Sequence, residues 1–120
     1  MTPLKVLQKL FEARDFIHLL HLNTTSYAEH KALNEFYDSW LDLADSFIET
    51  YQGKYGRIEG IINIEAATGY RSRDYLVGLM IFLNQDISTI IEPLIDSDLE
   101  NIIADMKQLV NQTLYLLTLK

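Results

Sequence analysis

Three histidines, His18, His21 and His30, fall within the first 30 residues, and none occurs after them. Neutral imidazole is a donor to iron and zinc, so this grouping is the first place to look for metal chemistry. Downstream of His30, further donors keep a helical spacing. At about 100° per residue, with His30 at zero, Asn34 falls at about 40°, Asp45 at about 60°, Asp38 at about 80° and Glu49 at about 100°. The apolar residues of the same stretch centre on about 300°. The donors therefore form a strip along the border of the buried face. Such a border is also what any solvated acidic helix presents, and a lone histidine can be the charge partner of a helix C-terminus. Three histidines at one end of one hairpin point to ligands instead.

Distance restricts how these groups act together. Asp45 lies 15 residues beyond His30, about 22 Å along a helix, and Glu49 is further still. One chain cannot place both ends around one ion. Two chains can, if a two-fold axis packs their hairpins antiparallel so that the histidines of one meet Asp45 and Glu49 of the other.

The elements that must position these residues are helices. Thr2 as N-cap and Pro3 at the first helical position announce the first. Leu4, Leu7, Leu10, Phe11, Ile17 and Leu20 keep its period until Asn23-Thr24-Thr25. A capping box, Ser26-Tyr27-Ala28-Glu29, opens the second, which is expected to run to about Gln52 and stop at Gly53. The stretch from Lys54 to Gly69 contains an apolar patch, Ile58 to Ala67, expected to form a short helix of its own. A third helix is expected from about Tyr70 to Ile91, closed by Pro93. A fourth begins at a second capping box, Ser97-Asp98-Leu99-Glu100, and its period runs through Leu99, Ile103, Met106 and Val110. Trp40, Met80 and Met106 read as core. Arg71 and Arg73 read as solvated or ion-paired with the acidic second helix. The outer links are short and the middle one is long enough to travel the length of a bundle. Two antiparallel hairpins joined by one long crossover is the arrangement of an all-α, ferritin-like four-helix bundle.

Composition bounds the function. The 120 residues make one domain, 48% apolar, without cysteine, so no disulfide or thiolate metal site exists. The N-terminus carries no apolar core of signal-peptide type, and no apolar run approaches the roughly 20 residues of a membrane span. A soluble, cytoplasmic protein is expected, without membrane partners. A net charge of −7 with scattered basic residues argues against a nucleic-acid partner. An acidic surface suits attraction of cations.

The stretch His21-Leu22-Asn23, His30 to Asp38, Asp45 to Glu49 and Gly53 resembles the first helical hairpin of the Dps-type mini-ferritins. That family has a His-Trp-Asn ending its first helix, then a His-x-x-x-Asp and, further on, an Asp-x-x-x-Glu, and the spacings here match. The resemblance implies a ferroxidase centre shared across a dimer interface, which binds ferrous iron and oxidises it, usually with hydrogen peroxide, inside a dodecameric shell. Carried over residue by residue, it implies His21 and His30 from one subunit, Asp45 and Glu49 from its mate, and Asn34 beside them, with His18 and Asp38 as additional donors. Iron is the implied metal and zinc its substitute. The homo-oligomer has a dimer as its smallest unit. Asn34 stands where the family has an aspartate, which removes one anionic donor. Leu22 replaces the tryptophan, and no lysine-rich tail exists for DNA. The short length is similar to that of small ferritin-like proteins of bacteriophages, for which host cytoplasm or virion would be the location. The alternative is a catalytically silent ferritin-like structural or interaction protein, such as a phage assembly component. A bundle di-iron oxygenase needs Glu-x-x-His on later helices, and no histidine follows His30.

Overall fold

Two of the four helices begin with the caps their sequences predict. The computed structural model describes all 120 residues, with α1 spanning Pro3–Asn23, α2 Tyr27–Tyr55, α3 Ser72–Ile81 and α4 Ser97–Leu116. The Thr2 hydroxyl accepts the Lys5 N–H at 3.2 Å, and the Ser26 hydroxyl accepts the Glu29 N–H at 3.3 Å. Glu29 does not return the favour expected of a capping box. Its carboxylate accepts instead from the Ser72 hydroxyl at 2.6 Å, which ties the start of α2 to the start of α3. At α4, Ser97 is the first helical residue and no side chain caps the end, so the second expected box is not formed.

Helix α2 passes through Gly53 and stops three residues later at Gly56, whose φ of 93° lies in the left-handed region that glycine adopts without strain. The third helix is less regular than expected. Beyond α3 the chain widens into a π turn over Phe82–Asp86 and tightens into a 3-10 turn over Ile87–Ile90. Through these changes Leu76, Leu79, Phe82, Leu83 and Ile87 all stay buried.

Side-chain contacts fix the direction of each helix. The ends of α1 and α4 and the starts of α2 and α3 share one end of the bundle: Phe16 stacks on Tyr75, Ser72 bonds Glu29, and Leu117 lies beside Glu29 and Arg71. At the other end the start of α4 meets the end of α2. There Asp96, 0% exposed, accepts from Lys54 Nζ at 2.9 Å, from the Tyr55 hydroxyl at 2.5 Å and from the Glu92 N–H at 2.7 Å. Helix α1 packs on α2 and α3, and α4 packs on α2 and α3. The core between them is one cluster centred on Trp40, Phe36, Phe47, Leu10 and Met106. Trp40 is fully buried, and its indole N–H donates to the Leu10 carbonyl at 2.9 Å. No helix is long and apolar enough to cross a membrane.

The short helix expected within the crossover is absent: residues 56–71 form neither helix nor strand. Length explains this. The link must carry the chain from Tyr55 back to the level of Glu29, about 39 Å at the rise of α2. Over roughly 17 steps that is about 2.3 Å per residue, well above the helical rise of about 1.5 Å. Ten helical residues over Ile58 to Ala67 would cover only about 15 Å and leave the remaining steps at the full reach of an extended chain, about 3.4 Å each. Close packing adds to it. Gly60 sits at φ 142°, and a Cβ there would come within 2.6 Å of Leu4.

Candidate functional site

Helix α1 delivers His18 and His21 in its last turns, and after the three-residue link Thr24-Thr25-Ser26 the first turn of α2 returns His30 beside them. The rings of His21 and His30 stack with centroids 3.8 Å apart. His18 stacks on Tyr37 at 4.5 Å and lies 5.9 Å from His21, which meets Tyr37 edge-on at 5.4 Å. Tyr37 keeps the period of the apolar face and reads as core in the sequence. Only its ring contacts reveal it as the fourth wall of this cluster.

His30 Nδ1 lies 2.9 Å from the His21 carbonyl oxygen. A carbonyl can only accept, so Nδ1 is the donor of this bond, and Nε2 is the ring nitrogen left without a partner in the chain, on an exposed residue. Metal-binding histidines are commonly oriented by such a bond from the non-ligating nitrogen. His21 is 6% exposed, and neither of its ring nitrogens has a hydrogen-bond partner. Burial pushes its pKa below the ordinary 6.5; His30 and His18 lower it further, and Asp38 offsets part of this. The ring is therefore neutral at pH 7, the form that donates a lone pair to a metal.

The other residues that the sequence marks as candidate donors stand along α2. Asn34 is half-buried one turn beyond His30, while Asp38, Asp45 and Glu49 are exposed. None of these three carboxylates forms an ion pair within the chain. Asp45 and Glu49 are about 22 and 28 Å from His30 along the helix. Within one chain, no three histidine, aspartate or glutamate side chains are placed to hold a metal ion. The histidine end and the carboxylate end are thus separate groups on one helix. Arg71 and Arg73 are exposed and unpaired, which fits the solvated alternative of the two expected for them.

No curated protein and no solved structure matches this chain. Residues 21–117, which take in His21, the whole of α2 and α3 and all of α4, match DUF5856, a family of unknown function, and the chain belongs to that family.

Proposed function

We propose that this protein is a ferritin-like, Dps-like homo-oligomer that binds ferrous iron at sites shared between two chains and passes it to oxidation. The observation that carries the reading is the contact of His30 Nδ1 with the His21 carbonyl beside the unpartnered His21 ring. His30 Nδ1–H is tied to the His21 carbonyl, which leaves Nε2 as the ring nitrogen free for a ligand, next to a neutral, unpartnered His21. Imidazole, carboxylate and amide oxygen together make a donor set suited to ferrous iron, with zinc as a substitute. His21 and His30 of one chain would be completed by Asp45 and Glu49 of another, with Asn34 a weaker contributor and His18 and Asp38 nearby. The ferritin-like assignment is supported by the direction of the helices and by the pairing of α1 and α4 each with α2 and α3. A dimer is the smallest unit that completes a site, and a dodecamer-like shell is its extension.

Anaerobic titration with ferrous iron, followed by hydrogen peroxide, tests this. Wild type is expected to bind iron in fixed stoichiometry and then to develop ferric absorbance, and both are lost in Glu49→Ala. A wild-type assembly that binds no iron overturns the reading. The second reading, a silent ferritin-like interaction protein, is favoured by the close cover over His21, whose nitrogens reach an ion only if its surroundings open.

A further inference from the structure

The outer face of α4 carries polar residues that repeat after one heptad. With Ala104 at zero and about 100° per residue, Glu100 falls at about 320° and Lys107 at about 300°, Asn101 at about 60° and Gln108 at about 40°. The buried residues Leu99, Ile103, Met106, Val110 and Thr113 centre on about 220°. Ala104 therefore points away from the core, with two opposite charges along one flank and two amides along the other. Glu100, Asn101, Ala104 and Gln108 are exposed, and Lys107 is half-buried. Neither Glu100 nor Lys107 has an ion-pair partner in the chain. Their own helix offers none between them, because the positions three and four residues from each are Ile103 and Ala104. Both line a cleft of about 300 Å³ beside Asn84 and Ser88, open to an incoming surface.

We propose that α4 packs antiparallel against α4 of a second copy of the chain, about a two-fold axis beside Ala104. A two-fold contact must be self-complementary, so that each residue and its partner exchange places between the copies. An axis midway between Glu100 and Lys107 meets that condition. Glu100 of each copy then faces Lys107 of the other, Asn101 comes within reach of Gln108, and the helices overlap from Ser97 to Val110. The Ala104 methyl at the centre lets the two helices approach closely. Charge selects the register. An axis at Glu100 or at Lys107 sets that residue against its own copy, and parallel pairing does both at once. An unrelated partner would need its own charges in this order, whereas a second copy supplies them by rotation alone.

The same rotation treats the exposed apolar residues at the two ends of α4. Leu94, just before the helix, is 91% exposed, and Tyr115, in its last turn, is 64% exposed. Antiparallel pairing brings Leu94 of one copy to the end where Tyr115 of the other stands. The contact lies on a helix that carries none of the proposed metal donors, so it stands apart from the iron reading. One helix per copy covers less than the roughly 800 Å² per partner of a standard interface, and the pairing is concentration-dependent when it acts alone.

The chain has no cysteine, which makes the register directly testable without metal. Ala104→Cys under mild oxidation is expected to form a disulfide-linked dimer, because the residue meets its own copy beside the axis. Gln112→Cys, equally exposed on the same helix, is expected to stay monomeric on a non-reducing gel, since its two copies lie about 25 Å apart along the pair. Lys107→Glu is expected to weaken association about tenfold in sedimentation velocity, because each dimer loses two ion pairs at once. The Glu100→Lys/Lys107→Glu double variant, which restores opposite charges across the axis, is expected to recover it. No crosslink at Ala104→Cys, equal crosslinking at Gln112→Cys, or no recovery in the double variant overturns the proposal, and none of these results bears on iron binding.

Discussion

His21 owes its character to burial without a hydrogen-bond partner for either ring nitrogen. Its folded-state pKa lies below the ordinary 6.5, so the unfolded chain binds the proton more readily. The stability tied to the neutral ring is fully present above about pH 6.5 and is lost as the pH falls below it toward the folded value. Urea midpoints measured between pH 7.5 and 5.5 are expected to fall in wild type and to fall less in His21→Phe, which removes the titrating ring. Trp40 makes the opposite kind of contribution. Its N–H is bonded and its rings fill the core, so Trp40→Phe is expected to cost about 1–3 kcal/mol in denaturant unfolding. The three histidines were legible as a group in the sequence because helix ends and a short turn force them together. Tyr37 was not, because an aromatic on the apolar period is indistinguishable from core until its neighbours are placed.

The elements divide in the same way. Thr2 and Ser26 cap α1 and α2 as predicted, since those signals act within one turn. The failures involve partners far away in the chain. Glu29 abandons its capping box for Ser72, 43 residues on. The α4 box yields to Asp96, whose side chain is held by Lys54 and Tyr55 from the end of α2. The crossover is extended because the bundle's length requires it, which no local propensity in Ile58 to Ala67 records. The Asp96 contact carries its own prediction. Although burial raises its pKa, the Glu92 N–H, the Lys54 ammonium and the Tyr55 hydroxyl together hold it down to about 2, against an ordinary value of 3.8. Its stabilisation is present above about pH 3.8 and is lost as the pH falls through about 2. Asp96→Asn is expected to lower the melting temperature at pH 7 and to flatten this acid limb, as followed by circular dichroism.

At the scale of the whole molecule, the proposed donor set lies in two halves on a helix too long to bring them together. On that proposal, the histidine end and the Asp45–Glu49 end gain a shared function only in an assembly. A mixture of two defective chains tests that claim most directly. A His21→Ala/His30→Ala chain and an Asp45→Asn/Glu49→Gln chain are each expected to bind no ferrous iron alone. Co-assembled as heterodimers, they regain about half the wild-type stoichiometry, because one of the two shared sites then has both halves intact. Iron binding by either variant alone, or none in heterodimers whose formation is confirmed by native mass spectrometry, would contradict a site built between chains.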